Sequence, residues 1–564
     1  MSGFSPITES RAKQLVLAIA LLVLSAGNSQ ASAQPADASL AVTASPVSLG
    51  IIVPAHACSE LLRVALDDIG GSGSRVLTAV ETTKDGVAVC AVEGVMAPAI
   101  GFKVFLPMRT WTQRYLQLGC GGLCGGFPLE AGAADGCVPL KAGGFVTAST
   151  DMGHKGSGGD FGRDPRKRAD FAYRAVHMTA MAAKRLILAL YDRSEAFAYF
   201  TGCSDGGREA LIEAQRFPND FNGIIAGAPA MNWQVQNSMF HGWQARSNTG
   251  KDGKPILLAS RLPLLHKAVL ARCDRLDGQV DGMIADPRAC RFDPGVLLCR
   301  SKHAKGNADC LTAAEVAAAR RLYDGPRDPA TRNRLTIGGP QPGSELAWNG
   351  VFVPAEANQP FFSERIALDA LRNLIFESNP PAGFALADLH FDRATFGRLR
   401  ARHPLFDATD PDLADFAAAG GKLILWHGWS DPHISPLNTI AYHKAVEKLL
   451  GQERTQAFER LYLFPGMYHC KDGEGPSLVD LLTPMMDWVE KGRAPEEIVA
   501  YQSVQEPDIA RSRPVYPYPY IAAYDGRGDP DKESSYFRAA PLFTGELPDW
   551  AGADFFRPYQ GVRH

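Results

Sequence analysis

The sequence predicts an α/β fold in which a mainly parallel sheet is covered by helices and interrupted by one long insertion. Three observations support this prediction. Short apolar runs alternate with helix-compatible segments on both sides of residues 231–420. One of these runs leads into a Gly-X-Ser-X-Gly pentapeptide at residues 202–206, and two late runs deliver an aspartate and a histidine. This combination is typical of an α/β-hydrolase fold with a large inserted lid domain.

Length and composition set the domain scheme. A chain of 564 residues exceeds what one hydrophobic core usually serves. We expect a hydrolase core at residues 34–230 and 421–564, with a lid or substrate domain at residues 231–420 between them. The apolar fraction of 46% is ordinary for a globular protein, and the net charge of −3 provides no basic field for nucleic acid or a membrane surface. We therefore expect neither partner.

Residues 1–33 have the pattern of an export signal. Arg11 and Lys13 precede an apolar run at residues 15–26, and Ala-Ser-Ala at residues 31–33 is a small-residue cleavage site. The run is too short to span a bilayer. The mature protein is therefore expected to be secreted or periplasmic, after cleavage near Ala33.

Eleven cysteines fit an oxidising compartment. The close spacing of Cys273 with Cys290, and of Cys299 with Cys310, predicts disulfides rather than metal ligands, although spacing alone does not fix connectivity. Bridges are also expected at Cys58 and Cys90, which flank a segment that we interpret as loop-rich. The odd count leaves at least one thiol unpaired or intermolecular.

The first strands of the sheet are expected in the apolar stretches of residues 101–118, followed by a glycine cluster at residues 119–126. In this fold such a loop donates a backbone N–H to an oxyanion hole, and the second N–H comes from the residue after the nucleophile, Asp205. A phosphate cradle is the weaker interpretation, because the lysine and hydroxyl residue of a P-loop are missing. A strand at residues 144–150 and a helix at residues 170–191 follow, and His154 between them is interpreted as structural.

The Gly-X-Ser-X-Gly pentapeptide predicts a nucleophile elbow. Its serine, Ser204, lies between an apolar run at residues 196–200 and a helix-compatible run at residues 208–216. Gly202 and Gly206 allow the close backbone approach of a sharp turn. A further buried strand is expected at residues 221–229.

The insertion contains an acidic loop at residues 273–283. It contains Asp274, Asp277 and Asp281, and the last two are each followed by glycine in an Asp-Gly turn. Such an oxygen-rich site suits calcium, although the spacing is not that of an EF-hand. The residues alone leave calcium and a solvated acidic turn equally open.

Strand patterning resumes at residues 422–427 and 460–464. The first run is followed by Asp431 and the second by His469, so the order Ser204, Asp431, His469 is that of an α/β-hydrolase triad. The histidine would take the serine proton, and the aspartate would hold the imidazole in the correct tautomer. We predict these three residues as catalytic.

Three motifs carry a family resemblance: Gly-Cys-Ser-Asp-Gly-Gly-Arg-Glu, Ser-Asp after the late strand, and Pro-Gly-Met-Tyr-His-Cys. Together they resemble the tannase and feruloyl esterase family, which also includes mono(2-hydroxyethyl) terephthalate hydrolase, and the resemblance runs over most of the mature chain. It implies a disulfide between Cys203 and Cys470. It also selects Gly122 as the oxyanion glycine. Cys120, Cys124 and Cys137 depart from the family pattern, and we assign no pair among them.

The resemblance favours structural calcium in the lid, and no organic cofactor is expected. The implied ligands are the carboxylates of the acidic loop and two backbone carbonyls, at Asp274, Asp277, Asp281, Gln279 and Met283.

The resemblance further implies a serine esterase that cleaves small aromatic esters of gallate, ferulate or other hydroxycinnamates through an acyl-enzyme. Four lid aromatics are candidates to contact an acyl ring, although each is more often core: Trp348, Phe352, Phe361 and Phe362. Arg365 or Arg372 would serve a substrate with a free carboxylate, as in a terephthalate-type hydrolase. Two further classes of protein stay open, a non-catalytic binding protein on the same fold and a thiol enzyme that uses Cys203. The oligomeric state is left open.

Overall fold

A nine-stranded mixed sheet forms the centre of the protein in a computed structural model that describes residues 47–300, 309–505 and 508–559. The expected export signal lies outside the described residues. The strands of the sheet, in chain order, are β1 Arg75–Lys84, β2 Val87–Met96, β3 Ile100–Pro107, β4 Arg114–Leu118, β5 Phe145–Thr150, β6 Phe197–Cys203, β7 Gly223–Gly227, β8 Lys422–Gly428 and β9 Glu459–Phe464.

The strand order confirms the predicted α/β-hydrolase fold. The order is β1-β2-β3-β5-β4-β6-β7-β8-β9. Neighbours from β1 to β5 pair antiparallel, and neighbours from β5 through β4 to β9 pair parallel. Because the carboxyl ends of parallel strands meet at one edge, the loops after β6, β8 and β9 lie together. Ser204, Asp431 and His469 follow these three strands.

Helices cover the sheet and fill the insertion. They are α1 Asp67–Gly70, α2 Val138–Lys141, α3 Pro165–Ala169, α4 Ala175–Tyr191, α5 Asp205–Arg216, α6 Trp233–Val235, α7 His241–Ser247, α8 Leu262–Cys273, α9 Ala313–Asp324, α10 Phe362–Asn373, α11 Arg393–Arg400, α12 His403–Phe406, α13 Ala414–Ala418, α14 Pro436–Leu450, α15 Gln452–Phe458 and α16 Leu482–Lys491. Single π-type turns precede α4, at Asp170–Arg174, and α7, at Gln236–Phe240.

The hydrophobic core has two layers, one on each face of the sheet. Successive strand residues point to opposite faces, so Phe200 and Ile224 pack in one cluster while Tyr199 and Ile225 pack in the other. Buried residues of α4, α5 and α14 cover the first face, and those of α16 cover the second. This double burial explains why β6 to β9 are continuous apolar runs in the sequence.

The insertion lies between β7 and β8. In the described part of residues 228–421 no strand joins the sheet, and helices α6 to α13 occupy this stretch. Part of it has a core of its own around Leu265, Leu322 and Trp348. Other residues, including Leu371 and Phe406, belong to the core that covers the sheet. The assignment of residues 231–420 as a lid domain stays a proposal.

One prediction about the first strands is wrong. The segment between Cys58 and Cys90 is not loop-rich, because it contains β1 and the start of β2, which form an antiparallel hairpin. β1 lies at the sheet edge and most of its side chains are exposed. An edge strand with little buried surface lacks the alternating apolar pattern by which strands are read from sequence.

Two smaller sheets complete the C-terminal region: β10 Leu478–Val479, β11 Ile498–Gln505 and β12 Asp508–Val515 form one, and β13 Ile521–Tyr524 with β14 Tyr536–Ala539 forms the other. Among the described helices, none has the length and apolar character needed to cross a membrane.

Five disulfides tie the chain: Cys58–Cys90, Cys120–Cys124, Cys203–Cys470, Cys273–Cys290 and Cys299–Cys310. Cys137 is a buried free thiol, and burial raises its pKa to about 11. Such a thiol is protonated at neutral pH and chemically inert.

Candidate active site

Ser204 occupies a strained turn between β6 and α5. Its backbone angles are φ 67° and ψ −120°, a conformation that L-residues rarely adopt. The turn is held because the Ser204 N–H donates to the carbonyl of Gly227 at 3.0 Å and its own carbonyl accepts from the N–H of Ala230 at 2.9 Å. A Cβ on Gly206 would lie 2.8 Å from the carbonyl oxygen of Cys120, so glycine is required there.

His469 and Asp431 form a close pair beside this turn. His469 Nδ1 donates to Asp431 Oδ2 at 2.6 Å. The other carboxylate oxygen, Oδ1, accepts from the backbone N–H of His433 at 2.7 Å and of Ile434 at 3.0 Å. The bridge from Cys203 to Cys470, with a Cα–Cα distance of 6.0 Å, joins the residue before Ser204 to the residue after His469. It also leaves no free thiol at Cys203 to act as a nucleophile.

The Asp431 carboxylate is fully buried and remains ionised. Burial by itself would raise the pKa of Asp431, but the charge of His469 and the hydrogen bonds from His427 and His469 outweigh it and hold that pKa well below its usual range. A negative charge is therefore fixed next to the His469 ring over the whole neutral pH range.

His427 is a residue of this site that the sequence pattern did not indicate. Its Nε2–H donates to Asp431 Oδ2 at 3.0 Å and to the carbonyl of Ile434 at 3.1 Å. In the tautomer with the proton on Nε2, Nδ1 accepts from the Thr439 hydroxyl, at 2.8 Å. A histidine at the end of an apolar strand gives no sign of this contact, since the Asp431 loop that returns to it is not visible in the sequence.

Two further histidines, His241 and His433, line the same cavity as His469. The His433 and His469 ring centroids are 4.8 Å apart. Burial lowers the pKa of His433 to about 3, and the charge of His469 adds to the shift. Burial likewise lowers the pKa of His241 well below its ordinary value. Both rings are therefore neutral at neutral pH and do not compete with His469 for protons.

The predicted oxyanion donors lie at the same cavity. Gly122 has φ 65°, and a Cβ there would meet nothing within 4 Å, so its backbone borders open space. Asp205 is the first residue of α5, where backbone N–H groups have no partner inside the helix. Its side chain is held by Arg208 at 2.7 and 2.9 Å. His154 packs behind the glycine loop, where its Nε2 is 3.2 Å from the Leu123 carbonyl and its ring stacks on Phe161.

A cavity of about 450 Å³ opens in front of Ser204 and His469. Its walls include Trp233, Phe362 and Ile366, which are apolar, and two oppositely charged residues, Arg365 and Asp369. The volume is within the range of pockets that enclose a small organic ligand.

Several predicted substrate residues lie elsewhere. Trp348 and Phe352 are fully buried in the separate core of the insertion, where they pack on each other and do not reach the cavity. Arg372 donates to the carbonyl of Phe384 and lines a different surface depression. Phe361 packs at the edge of the two cores. Of the lid candidates, Phe362 and Arg365 line the cavity.

The acidic loop follows α8 and is tied by the Cys273–Cys290 bridge. Burial and mutual repulsion with Asp281 and Asp274 raise the pKa of Asp277 to about 6, and burial raises that of Asp274. Asp281 is paired with Arg513 at 2.8 Å, and Asp274 accepts the backbone N–H groups of Asp281 and Gly282. The donor set suits a hard cation that would offset this repulsion, although one carboxylate already has a cationic partner. In the described chain, two other groups place three ligand atoms within 4.8 Å of one another, and this loop is not one of them.

The parallel sheet, the strained serine turn and the histidine–aspartate pair define an enzyme of the α/β-hydrolase class. A family model described as "Tannase and feruloyl esterase" matches residues 84–539, and the chain belongs to this family. The protein is therefore a carboxylic ester hydrolase, and not a binding protein on the same fold.

Three relatives illustrate the similarity. An uncharacterized esterase of Xanthomonas campestris pv. campestris is 35% identical over 546 residues, which cover 85% of this chain and 90% of that protein. The mono(2-hydroxyethyl) terephthalate hydrolase of Piscinibacter sakaiensis is 31% identical over 519 residues, 80% of this chain and 85% of that protein. The crystal structure of feruloyl esterase B from Aspergillus oryzae superposes with a TM-score of 0.74 at 25% identity, covering 86% of this chain and all of that one.

Proposed function

We propose that this esterase hydrolyses esters of aromatic acids such as ferulate or gallate through an acyl-enzyme on Ser204. The observation that carries the proposal is the position of Ser204 and His469 on one cavity, with His469 bonded to a buried, ionised Asp431.

In the first half of the reaction Ser204 Oγ attacks the acyl carbonyl carbon while His469 Nε2 takes the hydroxyl proton. The backbone N–H groups of Gly122 and Asp205 stabilise the negative carbonyl oxygen. The imidazolium then gives its proton to the departing alkoxide, and the alcohol leaves. A water molecule repeats the sequence on the acyl-enzyme, releasing the aromatic acid and restoring Ser204.

Asp431 supports both halves of this cycle. Its carboxylate accepts four hydrogen bonds, from the side chains of His469 and His427 and from two backbone N–H groups. The charge therefore stays in place and fixes the His469 tautomer in which Nδ1 is protonated and Nε2 is left free to accept the serine proton. Groups held in this way need little reorganisation when the imidazolium forms.

The cavity favours a flat acyl group with a polar end. Phe362 provides aromatic surface, while Arg365 and Asp369 provide opposite charges about one turn apart on α10. Asp369 offsets the charge of Arg365, and a phenol hydroxyl can donate to the carboxylate. This pairing supports hydroxylated aromatic acids, in line with the feruloyl esterases among the relatives.

A terephthalate monoester is the second candidate. Arg365 lines the cavity and could bind a free carboxylate, and one relative is named as a mono(2-hydroxyethyl) terephthalate hydrolase. The nearby Asp369 would oppose this binding, so we rank it second.

The test is a panel of methyl ferulate, methyl gallate and mono(2-hydroxyethyl) terephthalate, assayed with the native enzyme, Ser204→Ala and Arg365→Gln. Lys471→Gln, another cation at the cavity, is the matched control. We expect turnover of the phenolic esters, its loss in Ser204→Ala, and little effect of Arg365→Gln on them. Preference for the terephthalate ester, lost in Arg365→Gln and retained in Lys471→Gln, would support the second candidate. Activity in Ser204→Ala above a hundredth of native would refute the assigned nucleophile.

We propose in addition that the acidic loop holds a structural calcium ion, with the carboxylates of Asp274, Asp277 and Asp281 and the carbonyls of Gln279 and Met283 as ligands. The raised pKa of Asp277 supports it, because an unbalanced cluster of carboxylates is what a cation would stabilise. Elemental analysis of dialysed protein would reveal bound calcium. A metal-free protein whose melting temperature does not respond to added calcium would contradict the site.

We further propose that the enzyme acts outside the cytoplasm. The five disulfides support this location, because such bonds persist in oxidising compartments. N-terminal sequencing of the exported protein should begin near Gln34. Retention of the full N-terminus in the cytoplasmic fraction would contradict the proposal.

A further inference from the structure

An open cleft of about 830 Å³ on the insertion carries a concentrated positive charge. Seven arginines line it against two aspartates, an excess of five positive charges in a chain whose net charge is −3. A concave surface lined by one sign of charge focuses its potential on whatever enters. The arginines of this arginine cleft are Arg288, Arg291, Arg320, Arg321, Arg327, Arg332 and Arg334.

The acids present do not balance these arginines. Asp293 pairs with Arg320, and the single carboxylate of Asp324 is shared by Arg327 and Arg334. Arg288 pairs with Asp286, outside the cleft lining.

Three arginines remain without an acid partner among the described residues. Arg291 and Arg332 are exposed, and Arg321 donates to the backbone carbonyl of Ser247 at 2.7 Å. Burial lowers the pKa of Arg321, and it lowers that of Arg334 despite the neighbouring Asp324. Burial therefore destabilises the charged form of both side chains, and a bound anion would stabilise it.

We propose that the arginine cleft binds an acidic polysaccharide through the carboxylates of its uronic acid units. The cleft is much larger than a single carboxylate or phosphate and presents seven guanidinium groups, so a chain with repeated charges fits better than one small anion. Guanidinium groups match carboxylates with two parallel hydrogen bonds. Trp243, Phe292 and Tyr323 add flat apolar surface on which the C–H faces of sugar rings can pack.

The arginine cleft approaches the catalytic site at two points. In α7 His241 lines the cavity and Trp243 lines the cleft, and side chains two positions apart on a helix point in nearly opposite directions. The two sites are therefore separated at this point by one helix, about 10 Å across. In addition, Ser430, next to Asp431, donates to the carbonyl of Gly343, which follows the cleft-lining Pro342.

From this placement we assign the cleft as an anchor for the polymeric part of an ester substrate, a role that rests on the proposed function. The carbohydrate chain would be held at the arginines while an aromatic ester attached to it enters the cavity. A small soluble ester would not use the cleft.

The test is calorimetric titration of the intact Ser204→Ala protein with a hexamer of galacturonic acid, which separates binding from turnover. The informative variant is Arg291→Gln with Arg332→Gln, because both side chains are exposed and their removal leaves no buried acid unpaired. Arg109→Gln with Arg193→Gln, two exposed arginines outside the cleft, is the matched control with the same change in charge. We expect binding of the hexamer that weakens with salt, and an affinity lower by about tenfold or more in the cleft variant only.

The outcomes separate the two proposals. Unchanged hydrolysis of methyl ferulate by the cleft variant, with weakened hexamer binding, is the expected result. Absence of hexamer binding, equal weakening in both variants, or equal affinity for neutral xylohexaose overturns the cleft assignment and leaves the esterase proposal intact. Displacement of the hexamer by sulfate at the same molar concentration would show a site for single anions and also overturns it. A protein that binds the hexamer but hydrolyses no aromatic ester fails the proposed function instead.

Discussion

The disulfide between Cys203 and Cys470 joins the two loops that carry Ser204 and His469, so its removal should affect catalysis as well as stability. The two cysteines are 267 positions apart. The chain-entropy relation assigns a loop of this length about 5.6 kcal/mol of stabilisation, an upper figure because residual structure in the unfolded chain reduces it.

A second effect comes from the backbone at both ends of the bridge. Ser204 has φ 67° and Cys470 has φ 69°, and both are non-glycine residues in a region that costs them free energy. Without the covalent link these turns can relax. A shift of about 1 Å between the serine and the imidazole can cost about a hundredfold in rate. We therefore expect the double variant Cys203→Ala, Cys470→Ala to lose at least tenfold in kcat while folded.

The matched control is Cys58→Ala with Cys90→Ala. This bridge joins a short turn before β1 to β2, across a separation of 32 residues, and lies outside the catalytic cavity. The same relation assigns it about 3.7 kcal/mol, so its loss should lower the urea midpoint while kcat stays near native.

Turnover of methyl ferulate would be measured for both variants at a temperature where circular dichroism shows full folding. Native kcat in the Cys203–Cys470 variant would refute a role of this bridge in catalysis and leave it only a role in stability. An equal fall in kcat for both variants would show a general loss of rigidity instead.

Three other predictions concern the triad and the acidic loop. Asp431→Asn should lower kcat by about 10⁴-fold through loss of the correct His469 tautomer. Because the pKa of Asp431 is depressed in the folded protein, its charge stabilises the native state above pH ~4. The difference in unfolding free energy between the native and Asp431→Asn proteins, measured with urea, should therefore narrow as the pH falls below that value, and a constant difference would contradict the prediction. His427→Ala should lower kcat with little change in KM and steepen the loss of activity at acid pH. His427→Gln, which can still donate to Asp431, should recover part of the rate. Identical pH–rate profiles for the native enzyme and His427→Ala would rule out a positioning role. Calcium should raise the melting temperature most above pH 6 and least near pH 4. Above pH 6 Asp277 is ionised in the metal-free protein, and because its pKa is raised this charge destabilises the folded state. An effect of calcium that does not depend on pH would argue against this carboxylate as a ligand.

The order of the triad could be read from the sequence because parallel strands end at one edge of a sheet. Ser204, Asp431 and His469 each follow an apolar run, and the topology alone brings the three loops together. The same reasoning failed at the hairpin of β1 and β2, since an exposed edge strand carries no apolar alternation. Residues placed by strand ends were therefore predicted better than residues placed by packing.

The lid side chains show the limit of the sequence most clearly. Trp348 and Phe362 are both aromatic residues in the insertion, yet one is fully buried in a core and the other lines the cavity. No local pattern separates them, because the helices of the insertion pack against one another and against the sheet in ways that depend on distant contacts. The contact from His427 to Asp431 is hidden for the same reason.

The sequence by itself determined the α/β-hydrolase fold, the family motifs and the candidate nucleophile, acid and base, because these depend on local turns and on the direction of strands. Only the tertiary structure decided which lid residues reach the cavity, that His427 shares the Asp431 carboxylate, and that seven arginines spread over residues 288–334 line one cleft. These features arise from contacts between segments far apart in the chain, whose free energy is set by packing and electrostatics that local sequence does not encode.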